Sequence, residues 1–524
     1  MSLLVVSIRV TNPADAARDV EAALTAGADA IELRIDGFDG DLASINTLLK
    51  RYHQCVWIVT CRSSDEGGRF DGDATERTAR LAAAARDTGA YIDFELADWR
   101  LSGDIRQKIG AAAVEHDADR PRLILSTHRS DGHAPNVRAI LDEVAGLDST
   151  AVVKVAWEPA DIRDNFVALD AMRSTDVAGS GVAGVIAICT GEEGIASRVL
   201  APKFGAWATF CALSGEGTTA PGQVPLAKMK DLYRWDAIDR STRVYGVIGD
   251  PVAHSMGPLL HNRLFQEYGI NALYLPFPVA GDEVLRGFIR GVMERPWLDV
   301  GGFSVTIPHK SLALALTDEC PDPAVRRIGA VNTLVVRDGR LLGYNTDAPA
   351  AVEALTDALD CRPADLAGLT VNVLGVGGAA RAVAAALVEC RANVTVYGRS
   401  AERTARFAAD LDCDAAAWDD RVRAAGDVLI NATSVGLWPG ADASPIPADA
   451  LPGYRLVFDL VYNPPRTRLV RDALAARCRT LCGLDMFVRQ AAMQFELWTG
   501  RSADLRLMRN IVETSLQNRQ ASRP

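Results

Sequence analysis

The chain has 524 residues, too many for one ordinary domain, and its 48% hydrophobic and 23% charged residues suit large packed cores. A formal net charge of −11 speaks against nucleic acid as a general partner, while leaving room for a local basic pocket that takes a phosphate. No stretch reaches the roughly 20 uninterrupted apolar residues of a membrane helix. The ten scattered cysteines and seven histidines lack metal-ligand spacing, so no metal and a reducing cytoplasm are expected.

The opening run, Met1 to Arg9, is too short and too poor in basic residues for a signal peptide and reads as a first strand. Short β-branched runs then alternate with alanine-rich helical stretches. The runs are Leu3 to Ile8, Ala28 to Leu33, Val56 to Cys61, Ala90 to Glu95, Arg122 to Ser126, Ala151 to Ala156, Ala183 to Cys189 and Ala206 to Cys211. Asn12 to Thr25 and Thr75 to Thr88 carry helical periodicity. Eight strands with intervening helices over residues 1–227 predict an α/β fold, a (β/α)₈ barrel. In such a barrel Glu32, Arg34, Arg62, Glu66, His128, Lys154, Arg198 and Gln223 fall together at the C-terminal mouth. Each alone has a plain reading as a surface arginine, a structural histidine or a snorkelling lysine; the conjunction carries the weight. Lys154 lies in the apolar run Val152 to Ala156. An ammonium stripped of water there is expected to give up its proton more readily and act as a Schiff-base nucleophile.

The segments Glu32-Leu33-Arg34-Ile35-Asp36, Thr60-Cys61-Arg62, Glu66-Gly67-Gly68, Ser126-Thr127-His128, Lys154-Val155-Ala156, Ser197-Arg198 and Ala220-Pro221-Gly222-Gln223 resemble the type I 3-dehydroquinate dehydratases, in order across the first half. The resemblance implies that Lys154 forms an imine with the ring ketone of 3-dehydroquinate. It implies His128 as general base at the adjacent carbon and acid for the departing hydroxyl, with Glu66 orienting it. Glu32, Arg34, Arg62, Arg198, Thr219 and Gln223 would hold the hydroxyls and carboxylate. Thr219 stands where many relatives carry Ser, and Arg129 to Gly132 depart from the family pattern.

Residues 228–242 turn charged and aromatic and are expected to form a short helical linker. A new α/β unit is expected from Arg243, with a substrate lobe over 243–364. A Rossmann lobe follows over 365–483, and C-terminal helices over 484–524 return to the substrate lobe. The run Leu369 to Arg381 reads as a strand, a glycine turn (Gly375, Gly377, Gly378) and a helix start at Ala379, the setting in which a helix N-terminus takes a pyrophosphate. After the next strand stand Arg399, Ser400 and Arg403, where NAD-preferring folds place an acid; this favours the 2′-phosphate of NADP(H).

The second half resembles the shikimate dehydrogenases through His254-Ser255-Met256-Gly257-Pro258, Thr306 to Lys310, Gly329 to Thr333, Gly343 to Asp347, Asn431 to Ser434, Tyr462-Asn463-Pro464 and Gln490-Ala491-Ala492. The resemblance implies Lys310 and Asp347 as a catalytic dyad. Ser255, Thr306, Asn332, Tyr462, Gln490 and Gln494 would contact substrate, and Asn431, Thr433 and Gly483 would line the nicotinamide side. Gly257 departs from the family's second serine, and plant quinate-active relatives are similar in carrying glycine there; Thr306 matches the shikimate-preferring form. The whole is similar to the fused plant-type enzymes. This implies dehydration of 3-dehydroquinate to 3-dehydroshikimate, then NADPH-dependent reduction to shikimate, with small molecules as partners and no membrane or nucleic acid. Two other readings are a quinate/shikimate dehydrogenase in the second half and a metabolite sensor without catalysis, against which Lys154, His128, Lys310 and Asp347 argue.

Overall fold

The computed structural model describes residues 2–113, 122–175, 181–215 and 218–521. They form two compact units, Met1–Arg243 with Asn271–Gly291, and Val244–Ile270 with Val292–Pro524.

In the first unit eight strands, β1 (Leu3–Arg9), β2 (Ala30–Arg34), β3 (Val56–Thr60), β4 (Tyr91–Glu95), β5 (Leu123–Arg129), β6 (Val152–Trp157), β7 (Gly184–Cys189) and β8 (Ala208–Cys211), pair in parallel in the order β7-β6-β5-β4-β3-β2-β1-β8. The sheet closes where the Trp207 N–H donates to the Val185 carbonyl at 2.8 Å. β5 extends through His128 to Arg129, so the histidine lies on the strand rather than after it. The helix expected to reach Thr88 ends at Ala85, and Asp87 follows at a positive φ. The stretch expected as a linker is packed: Tyr233 and Trp235 are buried around the short turns Lys228–Leu232 and Trp235–Ala237.

Alternation along each strand explains both the core and the site. Inward side chains of Val5, Ala30, Ile58, Ile124, Val152 and Ile186 make an apolar plug, each large aliphatic residue contributing about 1.5–3 kcal/mol by burial. Two residues on, the same inward face carries Ser7, Glu32, Thr60, Asp93, Ser126 and Lys154, all buried. The segment Asn271–Gly291 contains β10 (Ala272–Pro278), and its Phe288 stacks on Phe166 with ring centroids 5.7 Å apart.

In the second unit β9 (Arg243–Gly249) runs parallel to β11 (Val300–Val305). β11 pairs antiparallel with β12 (Thr333–Arg337), and β12 with β13 (Arg340–Tyr344). Gly249 is obligatory here, because a Cβ would lie 2.4 Å from Thr306 Cγ2. A second sheet is all parallel: β14 (Thr370–Leu374), β15 (Asn393–Gly398), β16 (Asp414–Ala417), β17 (Val428–Asn431), β18 (Leu456–Asp459) and β19 (Arg479–Cys482), ordered β16-β15-β14-β17-β18-β19. The order reverses between β14 and β17, the switch point at which such sheets bind ligands. Among the described residues no helix is long and apolar enough to cross a membrane.

Candidate active sites

In the barrel, Lys154 Nζ sits 2.8 Å from Asp93 and 3.4 Å from Glu32, with the Phe210 ring 4.0 Å away. The lysine is only 5% exposed, but its setting is ionic as well as apolar, which the valines around it conceal. Glu32 accepts from Ser7 and Thr60, and Asp93 from Ser126 and Arg62. Burial opposes the charged form of Asp93, yet Arg62 and Lys154 hold its carboxyl well below the usual range.

Arg62 is the hub of the mouth. It donates to Asp93 at 2.7 Å, Ser126 at 2.9 Å and Glu66 at 3.2 Å, and lies 3.4 Å from Glu95. Glu95 in turn accepts from Ser63 and from the buried Arg77. Glu66 Oε2 meets both the backbone N–H and the Nδ1 of His128 at 3.0 Å. These two contacts tie the ring to Glu66. Burial, then the cations Arg62 and Lys154, keep the imidazole well below its ordinary value, so at neutral pH it is an unprotonated base. Burial pushes Glu66 up to about 7, against Arg62 and with help from Glu95 and Asp93.

Arg34 grips Asp36 bidentately, at 2.7 and 3.0 Å. Arg198 is 2% exposed and, among the described residues, reaches only the Phe210 and Pro221 carbonyls and leaves its Nε without a hydrogen-bond partner. Burial lowers it to about 10. A buried guanidinium with no carboxylate beside it among the described residues is suited to an anionic ligand. Thr219 donates from N and Oγ1 to Gln223, whose Nε2 reaches Ser7 at 3.4 Å.

In the second unit Lys310 Nζ lies 2.6 Å from Asp347 Oδ2. Asn332 Nδ2 donates to Asp347 Oδ1 and to Thr346, both at 2.9 Å, so this residue orients the dyad. Gln494 is 1% exposed and clasps Ser304, Thr333 and the Asn332 carbonyl. Its amide is thus engaged in bracing the floor beneath the dyad rather than offered outward. Ser255 Oγ accepts from the Gly257 N–H at 3.1 Å, at the start of the helix Gly257–Glu267. Thr306 follows β11, Tyr462 stacks on Phe487 at 4.8 Å, and Gln490 Nε2 donates to the Phe487 carbonyl.

The glycine turn lies beside this dyad. Gly375 has φ +109°, and the helix Gly378–Glu389, with Ala379 in its first turn, has no side-chain cap on its free N–H groups. A Cβ on Gly378 would stand 3.2 Å from Lys310 Cδ, whereas one on Gly377 would meet nothing within 4 Å. Arg399 and Arg403 are exposed after β15 and form no ion pair among the described residues; Ser400 caps the helix Ala401–Leu411. An open glycine turn, bare helix N–H groups and two unpaired arginines fit a phosphorylated dinucleotide. Asn431 Oδ1 accepts from Thr433 N and Oγ1, and its Nδ2 donates to the fully buried Asp459 at 2.8 Å. Asp459 also accepts from Thr467 and the Val461 N–H, and burial raises it to about 6. Gly483 packs against the Leu460 carbonyl, where a Cβ would clash at 2.1 Å.

Ser7, Asp93, Glu95, Ser126 and Asp459 are the functional-site residues that sequence reading missed. Counting in twos along β4 from Tyr91 would have flagged Asp93 and Glu95 as inward. Among the described residues no cluster of His, Cys, Asp or Glu is arranged to hold a metal ion.

Fold and sites together define a barrel lyase joined to a dinucleotide-dependent oxidoreductase. The type I 3-dehydroquinase family matches residues 4–240, the shikimate dehydrogenase substrate-binding domain residues 247–334, and the shikimate 5′-dehydrogenase C-terminal domain residues 483–513. The chloroplastic bifunctional 3-dehydroquinate dehydratase/shikimate dehydrogenase of Arabidopsis thaliana is 36% identical over 498 residues, covering 91% of this chain and 78% of its own. The NADP⁺ shikimate dehydrogenase of Methanosarcina mazei is 39% identical over 287 residues, 52% of this chain and 99% of its own. Among solved structures, the Thermus thermophilus shikimate 5-dehydrogenase with NADP(H) and shikimate is 36% identical, covers 52% of this chain and 100% of its own, and has a TM-score of 0.47. The chain belongs to the bifunctional 3-dehydroquinate dehydratase/shikimate dehydrogenase family.

Proposed function

We propose that the chain converts 3-dehydroquinate to 3-dehydroshikimate in the barrel and reduces that product to shikimate with NADPH in the second unit. The observation that carries this reading is that each lysine has the surroundings its step needs. Lys154 is buried among carboxylates within the network that holds His128, and Lys310 is paired with Asp347 against the glycine turn.

In the barrel Lys154 attacks the ring ketone, and loss of water gives an iminium that acidifies the neighbouring C–H. Neutral His128, steered by Glu66, takes that proton and returns it to the departing hydroxyl. Arg198 receives the ring carboxylate, while Arg34, Arg62, Glu32, Thr219 and Gln223 surround the hydroxyls. Hydrolysis of the conjugated iminium frees the product and the amine. In the second unit NADPH, when bound, supplies the hydride. Lys310 donates a proton to the carbonyl oxygen as it gains charge, and Asp347, fixed by Asn332, keeps Nζ aimed. Ser255, Thr306, Tyr462 and Gln490 hold the substrate. Gly375, Gly377, Gly378 and Ala379 cradle the pyrophosphate, Arg399, Ser400 and Arg403 take the 2′-phosphate, and Asn431, Thr433 and Gly483 line the nicotinamide.

Division at residues 227, 242, 364 and 483 into barrel, connector, substrate lobe, Rossmann lobe and closing helices accords with this assignment of roles. Ten free thiols and the net charge of −11 favour a reducing compartment such as the cytoplasm and a protein that leaves nucleic acid alone. Gly257 favours a second reading for the reductase: only Ser255 offers a side-chain hydroxyl at that turn, so quinate is a competing substrate. The deciding experiment mixes the full chain with 3-dehydroquinate and NADPH, then compares kcat/KM for shikimate and quinate oxidation. NADPH consumption dependent on 3-dehydroquinate, with borohydride trapping on Lys154, is expected; absence of both revives the sensor reading. Comparable rates on quinate would rename the second activity.

A further inference from the structure

Arg9 ends β1 and is the register partner of Arg34 on β2. Alternation from Val5 and Ser7 turns it inward, as Ala30 and Glu32 lead to Arg34. Arg69 joins them from the turn after Glu66, its backbone N–H donating to Asp36 at 3.1 Å. Arg34 already engages both oxygens of Asp36. Arg9 makes no ion pair among the described residues, and its Nε is buried without a hydrogen-bond partner. Burial, then repulsion from Arg69 and Arg34, holds its guanidinium below the usual value, with Asp36 opposing. Arg9 thus feels two neighbouring guanidinium charges against one carboxylate that Arg34 already occupies, and the arginine fork fits carboxylate and phosphate oxygens.

We propose that Arg9, with Arg34 and Arg69, forms an oxyanion-binding collar at the barrel mouth. It takes the carboxylate of the ring substrate on entry, or a free oxyanion of the same chemistry such as inorganic phosphate. The inference rests on the dehydratase reading and adds a specificity element to it: the collar selects anionic rings before Arg198 receives the carboxylate deeper in the site.

The test follows dehydration by the full chain at increasing inorganic phosphate, in the parent and in Arg9→Met, Arg9→Lys and Arg69→Met. Phosphate is expected to compete with substrate in the parent. Arg9→Met should raise KM about tenfold with kcat within about twofold, and weaken phosphate inhibition by a similar factor, as loss of one charge-assisted contact would. Arg9→Lys should fall between the two. A raised KM without phosphate competition assigns the collar to the substrate's carboxylate; lost phosphate inhibition at unchanged KM assigns it to free oxyanion. Unchanged KM and unchanged phosphate response overturn the collar. Borohydride trapping of Lys154 in the same samples reports the dehydratase reading separately, since its failure in the parent would sink that reading and not the collar alone. Should Arg9→Met not fold, Arg69→Met, at an exposed side chain, decides by the same two readouts with a smaller expected shift.

Discussion

Replacing Lys154 with Met keeps the length of the stem and removes only the ammonium. The change strips one cation from Asp93 and Glu32, at 2.8 and 3.4 Å, in a site where the lysine is 5% exposed. Asp93 keeps Arg62 at 2.7 Å, so the loss is partial. Breaking one arm of a buried pair costs about 3–5 kcal/mol; with the second arm intact, roughly 2–3 kcal/mol is expected, a fall of several degrees in the melting of the barrel unit. Dehydration should drop about 10⁴-fold or more, the order lost when a covalent nucleophile is removed. Shikimate-dependent NADP⁺ reduction should stay within about twofold, because Lys310 and Asp347 belong to the other unit. Both activities are read on one preparation, one as absorbance of the conjugated product and one as NADPH. Dehydration within tenfold of the parent would refute Lys154 as the imine-forming residue, and loss of both activities from a folded variant would refute independent sites.

Three further outcomes are expected. Arg399→Ala should raise the KM for NADP⁺ about 10–100-fold and leave that for NAD⁺ within about twofold, measured by shikimate oxidation; equal effects would mean the arginine does not read the 2′-phosphate. Gly257→Ser should raise the shikimate-to-quinate ratio of kcat/KM about tenfold, and an unmoved ratio would remove Gly257 as the selector. Asp459 has a folded pKa raised to about 6, so the folded chain holds an extra proton between the unfolded value and that point, and stability falls as pH rises through this window. Asp459→Asn should abolish that slope and gain about 1–2 kcal/mol at neutral pH, visible as a melting temperature that no longer drops between pH 4 and about pH 7. A parallel slope in both proteins would assign it elsewhere.

The eight strands were legible because their β-branched runs are short and evenly spaced, and the pairing of Lys310 with Asp347 because the resemblance to the shikimate dehydrogenases implied it. What stayed hidden lies inside elements. Asp93 sits in Tyr91-Ile92-Asp93-Phe94-Glu95, where a carboxylate in a strand gives no hint that its partner is a lysine two strands away. Asn332 entered as a substrate contact through the family resemblance alone; only the fold shows its amide turned toward Asp347. Arg9 fell just past the expected strand end at Ile8, so its inward direction went uncounted. Burial in the stretch 228–242 was hidden too: its charged and aromatic composition gives no sign that Tyr233 and Trp235 are packed inward.

The 3.2 Å left between a Cβ at Gly378 and the Lys310 stem packs the glycine turn directly against that side chain. Grafting a loop from another dinucleotide enzyme, to change which coenzyme is used, would shift the ammonium along with the phosphates. A coenzyme swap in this scaffold is therefore better attempted at Arg399 and Arg403, at the far end of the next strand, where exposed side chains can be exchanged without touching the packing on Lys310.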